Sequence, residues 1–185
     1  DTLAFTPGGV PLGLVDVQVW ARDPAEFGKK HTRRKRPIEN KESYKWLASF
    51  QAAAHAQRLC PTTQVVSIGD RESDVFDLFE LALSRDDHPA LLVRATADRC
   101  VQSAGSTARL WQVVESQEEA EVREVHVPRT AERAARQARL SVRFCAVELR
   151  PPRNGPAGRR PLRVWAVLAR EEQPPPGVEP LEWML

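Results

Sequence analysis

Apolar residues recur along the chain in two periods. "TLAFT", a Pro-Gly-Gly turn and "VPLGLVDVQVW" read as the two strands of a hairpin, with Val15, Val17 and Val19 alternating against polar neighbours. From Ile38 the period lengthens. In "IENKESYKWLASFQAAAHAQRL", Tyr44, Leu47, Phe50 and Ala54 stand at helical spacing among strong helix formers, with Pro61 beyond the end. "QVVSIG" then reads as a short buried strand, Val75, Phe76, Phe79, Ala82 and Leu83 mark a second helix, and residues 90–95 form a further strand. The order strand, strand, helix, strand, helix, strand predicts a mixed α/β sheet covered by helices.

After Arg99 the pattern shifts. "EVREVHVP", "ARLSVRFCAVELRPP" and "PLRVWAVLARE" alternate as antiparallel strands of a β lobe do, with a short helix around "ARLWQVVES". "PPPGVEPLEWML" reads as the start of another strand, cut short. Together with a first residue that is aspartate, this points to a segment of a longer protein or an incomplete reading frame. The organisation expected is a core over residues 1–95, an inserted β-rich lobe over 96–178, and a strand returning to the core from 179 to 185.

Composition narrows the class. With 42% hydrophobic residues, 28% charged and fifteen prolines, the chain is expected to be soluble and rich in loops. No apolar run approaches the roughly 20 residues of a membrane helix, so no membrane partner is expected. Cys60, Cys100 and Cys145 lack CxxC spacing, which argues against a zinc site and a disulfide framework and suits a reduced cytoplasmic setting. The net charge of +2 hides an uneven distribution. "KKHTRRKR", residues 29–36, packs six basic residues into eight, and residues 123–163 hold eleven arginines against three glutamates. Such blocks can neutralise phosphates.

"SIGDRESDVFDLF", residues 67–79, places Asp70 at the carboxyl end of a strand and directly before a helix. Ligands gather at that position in open α/β sheets, and a carboxylate there can hold a hard cation through oxygen. Aspartate and serine also cap helices, and acids in a first turn suit the helix dipole. Pattern alone leaves both readings of Asp70 open.

"PIENKESYKWL" followed by "SIGDRESDVFDLF", preceded by "PLGLVDVQVWARDP" and trailed by "PPPGVEPLEWML", resembles the cut-and-paste DDE transposases of bacterial insertion sequences. The resemblance is to the insertion-sequence-four family, whose best-known member comes from transposon five. It implies a partial ribonuclease H-like mixed sheet with helices, plus an inserted antiparallel β lobe. It implies that Asp70 matches the second catalytic, metal-binding acid, that Arg71 and Glu72 match the two residues after it, that Arg94 matches a basic residue on the strand leading to the insert, and that Trp183 matches an aromatic near DNA ends. The implied cofactor is Mg²⁺, with Mn²⁺ as substitute. The implied partners are double-stranded DNA, as transposon ends and target, and a second copy in a DNA-bound homodimer. The implied location is the bacterial cytoplasm, at the nucleoid. Asp1-Thr2 looks like the family's first acid but is followed by the hairpin, so Asp1 is not read as catalytic.

Other candidates carry two readings each. Lys29, Lys30, Arg33, Arg34, Lys35 and Arg36 suit phosphate contact or a solvated loop. Glu39, Lys41, Glu42 and Lys45 suit DNA or a solvated helix face, and Glu72 suits either the positioning of metal or water or an exposed pair with Arg71. Trp20, Trp46, Trp111 and Trp165 sit in apolar patterns and are expected in the core. Trp183 suits either base contact or packing. Two functions follow: a segment of an enzyme that cleaves and joins DNA at transposon ends, or a decayed or domesticated remnant that binds DNA or a partner without catalysis.

Overall fold

A computed structural model describes residues 1–19, 21, 38–103, 105–131, 133–153 and 155–185. The fold is mixed α/β, with open sheets and a few helices, and the chain divides into two compact units. The first unit comprises residues 1–93 and 152–159, the second residues 94–151 and 160–185.

In the first unit, β1 (Thr2–Phe5) pairs antiparallel with β2 (Pro11–Asp16). The turn between them closes through Gly9, whose φ of 82° is easily reached only without a Cβ. Alternation predicts a strand through Val19, but pairing stops at Thr2 opposite Asp16, and Val17 and Val19 are 55% and 94% exposed. Gln18 anchors the exit with its amide, which donates to Asp16 and to the Lys45 carbonyl.

The predicted helix begins later than its periodicity suggests. Residues Ile38–Asn40 form a 3₁₀ turn, and α1 runs Tyr44–Leu59. The N–H groups of Lys41, Tyr44, Lys45 and Trp46 each bond three residues back, so the entry is wound more tightly than an α-helix. Leu47 and Phe50 bury one face of α1 against Leu78 and Val93.

β3 (Val66–Gly69) and β4 (Ala90–Val93) pair in parallel, joined through α2 (Phe76–Ala82). The single mixed sheet expected is thus two separate two-stranded ladders among the described residues. On β3 and β4 one face is covered and the other open. Leu91 and Val93 pack with the helices, whereas Val66, Ile68 and Leu92 are 47%, 73% and 38% exposed.

The second unit is built on a six-stranded sheet of order β10-β9-β8-β5-β6, with β7 also paired to β8. Its strands are β5 (Cys100–Ser103), β6 (Ser106–Arg109), β7 (Glu121–Val127), β8 (Arg136–Leu149), β9 (Leu162–Glu171) and β10 (Glu182–Met184), and α3 spans Leu110–Glu115. Every pairing is antiparallel. Val127, Ala138 and Leu140 form a core with Ala169, Leu181 and Trp183. The closing "EWM" is the edge strand here, hydrogen-bonded to β9.

Candidate functional site

The acid-rich turn after β3 is assembled from backbone constraints. Asp70 takes an extended conformation, and its Oδ1 accepts the Glu72 N–H at 2.9 Å, capping the 3₁₀ turn Arg71–Ser73. Ser73 is fully buried, with its hydroxyl donating to the Asp70 carbonyl at 2.6 Å. A Cβ at Gly69 would lie 2.1 Å from Ser73 Oγ and 2.7 Å from Ser73 Cβ, so this approach of strand and turn requires glycine. Gly69→Ala is therefore expected to lower unfolding free energy by about 1–3 kcal/mol in a urea titration. Adding Ser73→Gly, which removes both clashing atoms, is expected to recover part of that loss.

The neighbouring acids also have partners, each in a different direction. Glu72 pairs with Lys45 at 2.8 Å, where Arg71 was the expected partner. Its side chain is 68% exposed, so the pair contributes about 0–1 kcal/mol. Asp77 and Glu80 both face Arg159, whose guanidinium lies 5.4 Å from the centroid of the Phe76 ring. The hydrogen bond that Arg159 donates to Asp77 raises the Arg159 pKa further above its ordinary value.

These placements correct the cofactor expected from sequence. Among the described residues, no group of three or more His, Cys, Asp or Glu is gathered where it could hold a metal ion, and neither Mg²⁺ nor Mn²⁺ is supported as a cofactor of these residues. The acids of this stretch follow one another in sequence but turn toward a backbone N–H, a lysine and an arginine instead of a common point.

The sequence-derived DNA contacts do not converge on one place. Lys29, Lys30, Arg33, Arg34, Lys35 and Arg36 lie outside the described residues, as does Trp20. Arg71 is exposed on the capped turn. Arg94 is partly buried and donates to the Glu182 carbonyl at 3.3 Å. Trp183 packs against the Val127, Ala138 and Leu140 core. Trp46 packs in the first unit, and Trp111 donates from Nε1 to Glu182 at 3.0 Å.

Trp165 is the exception to the expected burial. It is 66% exposed, with Phe144, 48% exposed, set against it at 5.8 Å between ring centroids and 60° between planes. Cross-strand partners in antiparallel ladders share a face, which gives this side of the sheet three successive rungs. Gln102, Glu148 and Arg163 make the first, Ala146 and Trp165 the second, and Phe144 and Val167 the third. Val164, Ala166 and Leu168 face the other way, toward the interior.

Two further cations join Arg163 at the same end. Leu149 pairs with Leu162, so the exit of β8 and the entry of β9 lie side by side, carrying Arg150, Arg160 and Arg163. All three are exposed and make no ion pair among the described residues. Elsewhere in this unit Arg136 pairs with Glu171, Arg143 with Glu172, and Arg170 with both Glu115 and Glu182, while Arg129, Arg133 and Arg139 are likewise exposed and make no ion pair among the described residues. The excess of arginine is legible in the sequence, whereas the side-by-side placement of Arg150, Arg160 and Arg163 follows only from the β8–β9 register. The phase of "RVWAVLA" did contain the signal for Trp165, which alternates in step with Arg163 and out of step with Val164, Ala166 and Leu168. No protein-family model matches the chain.

Proposed function

We propose that this chain serves as a DNA-contacting element without bond-breaking chemistry of its own, a remnant or part related to the cut-and-paste transposases it resembles. The observation that carries the reading is the contrast between its charges. The acids around Asp70 are held by a cap and by ion pairs, while Arg150, Arg160 and Arg163 stand exposed and without ion pairs at one end of the second unit's sheet. A guanidinium presents a planar fork suited to phosphate oxygens. The finer fold reading belongs to the same proposal. A parallel strand pair with helices on one face and an acid at the strand's carboxyl end is what part of a ribonuclease H-like core would contribute, and the antiparallel sheet would be its inserted lobe.

The test is fluorescence anisotropy with a labelled duplex, paired with a plasmid assay. The chain is expected to bind duplex without strong sequence preference and to lose affinity steeply between about 50 and 200 mM salt. Supercoiled plasmid incubated with the chain and Mg²⁺ is expected to remain intact. Metal-dependent nicking, or no binding at the lowest salt, overturns the proposal.

A further inference from the structure

Beside the three arginines, the second unit's sheet exposes an aromatic pair next to an open cavity. The cavity measures about 370 Å³, and its lining includes Gln102, Ser103, Ala146, Glu148 and Arg163. Ala146 is the direct cross-strand partner of Trp165. Trp165 itself does not line the cavity, but its rung is the next along the sheet from the polar rung of Gln102, Glu148 and Arg163, which does.

We infer that this face is a stacking platform for an unpaired nucleobase of single-stranded DNA, a reading that rests on the DNA contact proposed above. Trp165 supplies the ring on which a base stacks, and Phe144 holds the indole from its edge. The Gln102 amide offers a donor and an acceptor, the Ser103 hydroxyl both, and the Glu148 carboxylate acceptors, which are the groups that pair with the polar edge of a base. Arg163, with Arg150 and Arg160 beside it, meets the phosphates on either side. Solvent-exposed aromatics on a β-sheet face flanked by cations are the recurring design by which proteins hold single strands, because every base has a stacking face. Charge complementarity selects this occupant over a protein: the patch is bordered by three cations without ion pairs, and its one acid, Glu148, sits directly opposite Arg163.

The experiment uses three labelled probes of equal length: a single-stranded oligothymidylate, the same backbone made abasic throughout, and a duplex. The wild-type chain is expected to bind the oligothymidylate at least about ten-fold more tightly than the abasic strand, since the two differ only in their bases. Trp165→Ala is expected to remove most of that preference while changing affinity for the abasic strand and the duplex less than about two-fold, and Trp165→Phe is expected to retain most of it. Equal wild-type affinity for the thymidylate and abasic strands overturns the platform yet leaves the arginine contact standing. Failure to bind any probe overturns both. If Trp165→Ala loses affinity for all three probes equally, the tryptophan acts through the fold, and the platform is again overturned.

Discussion

Phe50→Ala is expected to lower the unfolding free energy by about 3–5 kcal/mol. Phe50 is 1% exposed and sits at the centre of the first unit's core, with Leu47 on its own helix and Leu78 and Val93 from α2 and β4. Its ring and the His88 ring form a T-shaped pair, with centroids 5.6 Å apart and planes at 80°. Truncation removes the apolar area of the ring and opens a cavity that helices anchored on two sides cannot collapse to fill. Against a typical total stability of about 5–15 kcal/mol, that is enough to leave the first unit marginal. Urea unfolding followed by circular dichroism measures it, and Phe50→Leu, which retains most of the volume, is expected to cost much less.

Glu171→Gln is expected to produce the second large effect and to alter the response to acid. Glu171 is buried at 4% exposure on β9, where it receives both guanidinium nitrogens of Arg136 and the Leu181 N–H at 3.2 Å. The hydrogen bond from Arg136 holds the Glu171 carboxyl below the usual carboxylate range, against the opposing effect of its burial. A carboxyl whose folded pKa lies below its unfolded value of about 4.3 adds stability that is complete above that value and lost as pH falls through the folded pKa. The wild-type melting temperature is therefore expected to decline as pH is lowered from about 5, and Glu171→Gln to flatten that decline. At neutral pH the variant leaves a buried guanidinium facing a neutral amide, and a fall of roughly 5–10 °C is expected. A melting temperature unchanged at pH 7 in Glu171→Gln would mean that the pair contributes nothing to the second unit.

The helices and long strands of this protein were legible because burial imposes its period on them. Leu47, Phe50 and Ala54 marked α1, and "ARLSVRFCAVEL" marked β8. Polar strands left no such mark. β5 and β6, "CVQS" and "STAR", carry no such period, because the hydrogen bonds of a hairpin closed at Gly105 do not require alternation. Periodicity also says which residues favour burial without saying what covers them. Leu3, Leu12, Leu14 and Ile68 lie on strands, as the alternation predicts, yet each is more than half exposed on its ladder.

The candidate site was less legible for a related reason. Adjacent acids in "DRESD" gave the impression of a shared site, but a 3₁₀ turn fans consecutive side chains apart, so Asp70 and Glu72 have different partners. Conversely, Arg150, Arg160, Arg163, Gln102 and Trp165 are scattered in sequence and become neighbours only through the register of β5, β8 and β9. Antiparallel register is a long-range property, and no local window of sequence contains it.

The most direct test of the DNA-contact reading is the slope of log affinity against log salt for a labelled duplex, measured for the wild-type chain and for Arg150→Ala, Arg160→Ala and Arg163→Ala combined. Each phosphate neutralised adds about 0.9 to the magnitude of the slope on B-form DNA. The account predicts a steep slope for the wild type and one shallower by about 2 to 3 in the triple variant, with the melting temperature of the chain preserved. Identical slopes for the two proteins would contradict it.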